Sequence, residues 1–183
     1  AADKHGIPVE LLTAQAMQES SGDPNAVSPC GAEGLLQIMP ATQHELGFSD
    51  TDQRDEFDPE KNLDRGAYYL KQQYKSCKRY IETLPKKESV IGREGLQGAN
   101  NLCIDEDYWM MALASYNGGF GYVLVAIKMC VTDGLSIRWG NISLMLMNDR
   151  CQVRGRRPDY EQINDYVAKI WCNYKKAIGG GGK

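Results

Sequence analysis

Glu19 is the side chain in this sequence best placed to transfer a proton. The pattern of apolar residues predicts a first helix that begins near Pro8, a favoured first helical residue, and ends at about Glu19. Leu12, Ala16 and Glu19 share one face of this helix, just before the turn signal Gly22-Asp23-Pro24. Partial burial and the negative end of the helix dipole would both raise the pKa of this carboxyl group and favour the protonated acid. Periodicity alone leaves open an ordinary surface glutamate at a helix end.

Two further segments contain residues suited to ligand contact. The run from Ala26 to Thr42, AVSPCGAEGLLQIMPAT, combines glycines and a proline that exclude one regular helix, and it predicts a shaped wall. Asn117-Gly118-Gly119 ends a later helix with residues that tolerate left-handed backbone, and Tyr116 adds an aromatic face and a hydroxyl group. Each segment taken singly is also compatible with a plain helix cap or turn.

Helical periodicity predicts the elements that position these residues. A long helix begins at Asp58-Pro59, and later helices run from Tyr108 to Tyr116 with an N-cap among residues 105–107, after Gly121, and after Arg157-Pro158. The stretch 86–101 is predicted to be a loop. The apolar residues that mark the first helix are Val9, Leu11, Leu12, Ala16 and Met17, and those that mark the last are Ile163, Val167, Ile170 and Tyr174. The predicted apolar faces of the helices between them are Leu63, Ala67, Leu70, Tyr74, Cys77 and Ile81, and then Val123, Ile127 and Val131.

Length and composition favour one domain over residues 1–178, which the helical periodicity makes mainly α, followed by a flexible Gly-rich tail at 179–183. The net charge of −3 provides no basic field, so nucleic acid is not an expected partner. No apolar run approaches the roughly 20 residues that span a bilayer, so membrane insertion is not expected. No targeting signal is visible, and Ala1-Ala2 resembles the start of a mature or excised chain.

The sequence has six cysteines without any Cys-x-x-Cys pair and only two histidines, so a zinc site is not expected. An even, dispersed set favours disulfide bonds formed in an oxidising compartment. Six buried free thiols in a reducing compartment are the alternative. The cysteines are Cys30, Cys77, Cys103, Cys130, Cys151 and Cys172.

The order of these motifs resembles the soluble lytic transglycosylase family. Glu19-Ser20 is followed by GAEGLLQIMPAT, by a helix with Asn62, Gly66 and Tyr69-Leu70, and then by Tyr116-Asn117-Gly118-Gly119. The resemblance covers roughly Pro8 to Gly121 and extends more weakly to residues 160–170. There, Gln162 and Tyr166-Val167 are similar to the family's Glu-Thr-Arg-x-Tyr-Val segment, with Gln in place of Glu and Ile163 in place of Thr.

This resemblance implies a lysozyme-like fold with a cleft for alternating N-acetylmuramic acid and N-acetylglucosamine. It implies that Glu19 acts first as acid and then as base, closing a 1,6-anhydro ring on muramic acid with no metal or organic cofactor. Ser28 and Gln37 match the family's cleft residues nine and eighteen positions beyond the catalytic glutamate. The other positions implied to contact substrate are Met39, Tyr116, Asn117 and Tyr166.

The cysteines and the long insert between Ile81 and Leu102 depart from the family pattern. They favour a specialised branch that acts outside the cytoplasm, associated with a larger envelope-spanning assembly or delivered by a virion. Glu33 leaves a second activity open, because an additional carboxylate could activate water and make the protein a hydrolytic lysozyme. A third alternative is a non-catalytic module that binds peptidoglycan, since fold alone does not establish activity.

Overall fold

The computed structural model describes residues 1–48, 57–84 and 103–180. Over these ranges the chain is helical, with isolated β-bridges and no strand, which confirms the mainly α prediction. The predicted loop 86–101 and the last three residues of the predicted tail lie outside the described residues. The helices are α1 (Ala2–His5), α2 (Val9–Ser20), α3 (Pro40–Glu45), α4 (Pro59–Thr83), α5 (Asp105–Gly118), α6 (Phe120–Thr132), α7 (Trp139–Met147) and α8 (Tyr160–Gly179).

The chain divides into two compact units. Unit 1 comprises Ala1–Lys71 and Ala168–Lys183, and unit 2 comprises Gln72–Val167. None of the described helices is both long enough and apolar enough to cross a membrane. The fully buried side chains of unit 1 include Leu11, Leu36 and Leu70, and those of unit 2 include Met111, Leu113, Ile127, Ile142 and Leu146.

Helix α2 begins and ends close to the predicted positions, with Pro8 directly before its first residue. Its buried face contains Leu11, Leu12, Ala14 and Gln15. Val9 is 56% exposed and Met17 is 53% exposed, so these two apolar residues lie outside the buried face of the helix. At about 100° per residue, these two positions turn away from the Leu11-Leu12 direction, whereas Glu19 falls between the directions of Leu12 and Gln15.

Helix α4 confirms the predicted helix after Asp58. The Asp58 side chain caps it, because its Oδ1 accepts hydrogen bonds from the backbone N–H groups of Glu60 at 2.9 Å and Lys61 at 3.2 Å. Ala67, Leu70, Tyr74 and Cys77, all from the predicted apolar face, are buried. Helix α8 likewise buries the predicted Ile163, Val167 and Ile170.

Helix α5 starts earlier than predicted, at Asp105, so the expected N-cap among residues 105–107 was wrong. Asp107 instead lies inside the first turn, 3% exposed, where Oδ2 accepts a 3.0 Å hydrogen bond from the Ile104 N–H. The same carboxylate lies 2.7 Å from Arg138 Nε and accepts a 2.9 Å hydrogen bond from the Trp139 N–H. Asp107 therefore joins the start of α5 to the start of α7.

Helix α6 begins at Phe120, one residue before Gly121, and buries the predicted Val123 and Ile127 completely. Val131 was also predicted for this apolar face, but it is 36% exposed in the last turn of α6. Helices α1, α3 and α7 were not predicted. These three helices are four to nine residues long, and over so few residues a helical period of apolar side chains cannot be distinguished from chance.

All six cysteines are free thiols, so the structure does not support the predicted disulfide bonds. An even number of cysteines does not bring their β-carbons to the short separation that a disulfide requires. Cys77, Cys130 and Cys151 are fully buried, whereas Cys30 and Cys172 are exposed. Burial raises the pKa of the Cys77 thiol to about 12, against the opposing effect of a hydrogen bond with Ser115.

We expect alkylation of the native chain at pH 8, without reductant, to label Cys30 and Cys172 and to leave Cys77 unmodified. The reason is that a buried thiol is both inaccessible and protonated. Peptide mass spectrometry measures the labelling at each position. Denaturant without reductant should then release all six thiols, and fewer than six would show that a disulfide forms after all.

We expect Gly66→Ala to destabilise the protein by about 1–3 kcal/mol, because an added methyl group overfills a packed site. A Cβ at this position would lie 2.4 Å from Leu36 Cδ1, and Leu36 is fully buried. Gly140→Ala in α7 is the matched control, since a Cβ there meets nothing within 4 Å. Urea unfolding compares the two, and equal stability of both variants would refute the close contact.

Candidate active site

Glu19 is the second-to-last residue of α2, and the backbone around it is held by a closed helix end. The chain leaves the helix through Ser21, whose φ is 55° and whose N–H donates to Met17 O at 3.1 Å. The Ser20 hydroxyl donates to Ala16 O at 3.1 Å and accepts a hydrogen bond from the Gly22 N–H at 3.1 Å. Glu19 itself is half-buried, consistent with its predicted position at the edge of the core.

The segment from Ala26 to Ile38, here called the wall loop, folds back on itself instead of forming a helix. Glu33 forms antiparallel bridges with both Val27 and Ile38. The Gly34 N–H donates to Ala26 O at 2.9 Å, and the Ser28 N–H donates to Ala32 O at 2.9 Å. This confirms that the run is not a regular helix and gives it a defined backbone.

Ser28 and Gln37 both use part of their hydrogen-bonding capacity inside the wall loop. The Ser28 hydroxyl accepts a 2.9 Å hydrogen bond from the Ala32 N–H, which leaves its O–H group as a donor. Gln37 Nε2 donates to Ala26 O at 3.0 Å and to Gly34 O at 2.9 Å. Because a carboxamide nitrogen has two hydrogens, Gln37 retains only its Oε1 as an acceptor for a ligand. The two side chains therefore offer complementary functions, one donor and one acceptor.

Gln37 adopts a left-handed backbone conformation, with a φ of 45°. This conformation is uncommon for a residue other than glycine and costs about 1 kcal/mol or more. The surrounding loop must therefore impose it. The side-chain hydrogen bonds of Gln37 to two carbonyl groups contribute to holding this geometry.

Asn62, in the first turn of α4, fixes the wall loop to the helix. Its side chain is 1% exposed. Oδ1 accepts a 2.8 Å hydrogen bond from the Leu36 N–H, and Nδ2 donates to Glu33 O at 2.9 Å. One side chain therefore binds two backbone groups on either side of Gly34, and the Glu33 carbonyl also accepts a 3.3 Å hydrogen bond from the Ile38 N–H.

Leu36 adds an apolar anchor next to this polar one. It is fully buried against Gly66, which lies one turn beyond Asn62 in α4 and has no side chain to occupy the space. After the wall loop, Met39 precedes α3, and Pro40 is the first residue of that helix. Met39 remains 39% exposed and is therefore available for contact with a ligand.

Unit 2 holds the remaining predicted residues, Tyr116, Asn117 and Tyr166. Tyr116 and Asn117 lie half-buried in the last turn of α5, and Tyr166 in α8 is 5% exposed. Gly118 allows α5 and α8 to approach closely, since a Cβ on it would lie 2.2 Å from Ile163 Cδ1. This contact gives a physical reason for glycine in the Asn117-Gly118-Gly119 motif.

The start of α5 is held by a polar and aromatic cluster within unit 2. Asp105 accepts hydrogen bonds from Trp109 Nε1 at 2.9 Å and from the Tyr74 hydroxyl. The rings of Tyr74 and Trp109 lie 4.3 Å apart between centroids. Burial, together with the hydrogen bond to Asp105, raises the pKa of Tyr74 well above its usual value. The helix that carries Tyr116 and Asn117 is therefore anchored at its opposite end.

No group of three or more His, Cys, Asp or Glu side chains in the described ranges is arranged to hold a metal ion. Within unit 1, Ser28, Gln37 and Met39 lie in one short stretch of the chain. This stretch begins a few residues after the turn that follows Glu19.

Sequence reasoning noted Asn62 only as part of a motif and assigned it no function. Asparagine is a polar residue, and helical periodicity gives no reason to bury it. Its position at the start of α4, four residues before Gly66, was visible in the sequence. Its two backbone partners, 26 and 29 residues away, were not.

A helical fold with a glutamate at a helix end, followed by a rigid polar loop, is the arrangement expected of the lysozyme-like class. Residues 1–130 match the family model described as the Transglycosylase SLT domain. The chain therefore belongs to the transglycosylase SLT domain family.

The relatives of this chain include two proteins named membrane-bound lytic murein transglycosylase F. The one from Maricaulis maris is 33% identical over 176 residues, covering 93% of this chain and 33% of the relative. The one from Desulfosudis oleivorans is 30% identical over 189 residues, covering 97% of this chain and 36% of the relative. The chain thus spans about a third of the length of these relatives.

Two solved structures share the fold. The inactive Glu-to-Gln mutant of lytic transglycosylase Slt from Pseudomonas aeruginosa has a TM-score of 0.61 and 20% identity, over 97% of this chain and 23% of that chain. The 70 kDa soluble lytic transglycosylase from Escherichia coli has a TM-score of 0.59 and 21% identity, over 94% of this chain and 22% of that chain. The lysozyme-like fold expected from the sequence is thereby confirmed.

We expect Asn62→Asp to destabilise the protein by about 2–4 kcal/mol at pH 7, because a carboxylate oxygen then faces the Glu33 carbonyl in place of a donor. Burial raises the pKa of the introduced carboxyl group above its value in the unfolded chain. The protonated form can donate, so the loss should shrink as the pH falls from 7 to 5. Urea unfolding at both pH values measures this.

The control for this substitution is Asn25→Asp, the same chemical change at an exposed residue. We expect it to change stability by less than about 0.5 kcal/mol at either pH. A similarly small effect at both positions would contradict the role assigned to Asn62.

Proposed function

We propose that this chain is a peptidoglycan lytic transglycosylase. It cleaves the β-1,4 bond between N-acetylmuramic acid and N-acetylglucosamine and leaves a 1,6-anhydromuramic acid end. The observation that carries the proposal is the half-buried Glu19 at the closed end of α2, followed by the wall loop, in a chain that belongs to the SLT family.

In the proposed reaction, protonated Glu19 donates its proton to the glycosidic oxygen as the bond to the muramic acid anomeric carbon breaks. The resulting carboxylate then accepts the proton of the muramic acid 6-hydroxyl. That oxygen attacks the anomeric carbon and closes the anhydro ring, so no water is consumed. The substrate's 2-acetamido oxygen can stabilise the positive charge, which removes the need for a second carboxylate.

We assign sugar binding to Ser28, Gln37, Met39, Tyr116, Asn117 and Tyr166. The inventory of hydrogen bonds supports specific roles for two of them. Ser28 has an O–H donor available for an acetamido oxygen, and Gln37 has an acceptor available for a sugar hydroxyl or acetamide N–H. Met39 offers apolar surface. Tyr116 and Tyr166 would order the reacting centre, although the burial of Tyr166 leaves only a small edge for contact.

The proposed substrate places the protein outside the cytoplasm, in the periplasm or cell envelope, or on a virion that delivers it there. The relatives' name, membrane-bound lytic murein transglycosylase, supports this location. Association with a larger envelope-spanning or virion assembly remains a prediction from the sequence. Its partners would be peptidoglycan glycan strands in every case.

The test is mass spectrometry of the fragments released from purified peptidoglycan. We expect the parent chain to release products that end in 1,6-anhydromuramic acid, and Glu19→Gln to lower the rate by at least about 100-fold. Glu10→Gln is the matched control, since Glu10 lies in the first turn of the same helix. It should retain the parent's rate and products.

Other results would point to the alternatives. Products heavier by one water would show a hydrolytic lysozyme, and Glu33→Gln would then test Glu33 as the base. The observation behind this alternative is that Glu33 lies half-buried in the wall loop with Ser28 and Gln37. Binding without any product would favour a non-catalytic peptidoglycan-binding module. A Glu19→Gln variant as active as the parent would rule out the mechanism.

A further inference from the structure

Unit 2 contains a tight turn with two arginines that packs against Gly121, near the start of α6. Val153 and Arg156 pair through backbone hydrogen bonds of 2.9 Å and 3.0 Å, which close the turn. The two central residues are left-handed, Arg154 with a φ of 52° and Gly155 with a φ of 76°. These angles are those of a type I′ turn. We call residues 153–156 the arginine turn.

The arginine turn is anchored to the body of unit 2 on both sides. Val153 packs against Gly121 in α6, with side-chain carbons 3.4–3.5 Å from the Cβ position of that glycine. Cys151 is fully buried, with Sγ 3.7 Å from Tyr122 O, and Pro158 is buried beyond the turn. A fixed contact therefore joins the arginine turn to the start of α6, the helix that follows Tyr116 and Asn117 in the chain.

The two arginines of the turn differ from neighbouring arginines in having no acidic partner in the part of the chain that the structure describes. Arg138 pairs with Asp107 at 2.7 Å, and Arg157 pairs with Asp149 at 2.8 Å. Arg150 pairs with Asp133 and holds the pKa of that carboxyl group below its usual range. Arg154 and Arg156 are exposed and make no ion pair with any described residue. Within a chain of net charge −3, they form a local positive site.

Arg154 occupies a position that its residue type does not favour. A type I′ turn selects glycine, asparagine or aspartate at its left-handed positions, because they tolerate a positive φ. A long, charged side chain is held there at a conformational cost. Because Arg154 also has no acidic partner among the described residues, its guanidinium group is available to an anionic ligand.

We propose that the arginine turn binds the carboxylate groups of the peptide stems attached to muramic acid, an inference that rests on the proposed function. Guanidinium groups bind carboxylates through paired N–H donors. Peptide stems repeat along the glycan and present free carboxylates at a regular spacing. The turn would then select peptide-bearing strands, while the residues assigned above bind the sugars.

The experiment measures binding by isothermal titration calorimetry in a Glu19→Gln background, so that no ligand is consumed. The ligand is a four-sugar strand of alternating muramic acid and glucosamine with peptide stems. It is used in two forms, one with free stem carboxylates and one with those carboxylates converted to carboxamides. We expect the acid form to bind about three- to tenfold more tightly, the size expected of two partly exposed ion pairs.

The test variant combines Arg154→Asn with Arg156→Gln and should bind both ligand forms equally. Asparagine tolerates the positive φ at position 154, so this variant should have an unchanged or higher Tm. The matched control combines Lys75→Gln with Arg79→Gln, two exposed residues of α4 in the same unit. It removes the same charge and should preserve the preference. A variant with Lys at both turn positions should retain part of it.

The outcomes separate this inference from the proposed function. Equal affinity of the Glu19→Gln chain for the two forms, or a preference that survives in the test variant, would overturn the inference alone. The proposed function would then still be judged by its anhydro products. Binding to neither form would overturn both, because the chain would not recognise the peptidoglycan strand at all.

Discussion

The conformation of the wall loop depends on one buried side chain. Asn62 provides both an acceptor for the Leu36 N–H and a donor for the Glu33 carbonyl. A backbone segment that is not helical cannot enter the interior unless such groups are satisfied, and here the first turn of α4 supplies the partner. The capping of α4 by Asp58 places Asn62 at a defined depth. The loop's geometry therefore follows from where that helix begins.

A consequence of this rigid loop is that its polar side chains are only partly available. Ser28 and Gln37 each use the hydrogen-bonding groups that the loop requires and retain a single function for a ligand. This division gives the proposed sugar contacts a direction, with a donor at one position and an acceptor at the other. The conformational cost of a left-handed Gln37 is also explained, because the same side-chain bonds that limit its role hold it in place.

In unit 2, close contacts at two glycines hold helix ends in place. Gly118 admits Ile163, and Gly121 packs against Val153, so that two glycines fix the end of α5 and the start of α6 against later parts of the chain. Ile163 serves as a fully buried packing residue beside Gly118. At the other end of α5, hydrogen bonds take the place of these apolar contacts. The Asp107 carboxylate accepts hydrogen bonds from the Ile104 N–H and from the N–H of Trp139, the first residue of α7.

The sequence by itself determined the helical class, the long helices and the position of Glu19 near the end of α2, because an apolar period and turn residues are local properties of the chain. It also identified the wall loop as irregular, since its glycines and proline exclude a helix. Only the tertiary structure decided that the cysteines remain thiols and that Asn62 is buried. These depend on which residues distant in sequence meet in space, and local patterns contain no information about such contacts.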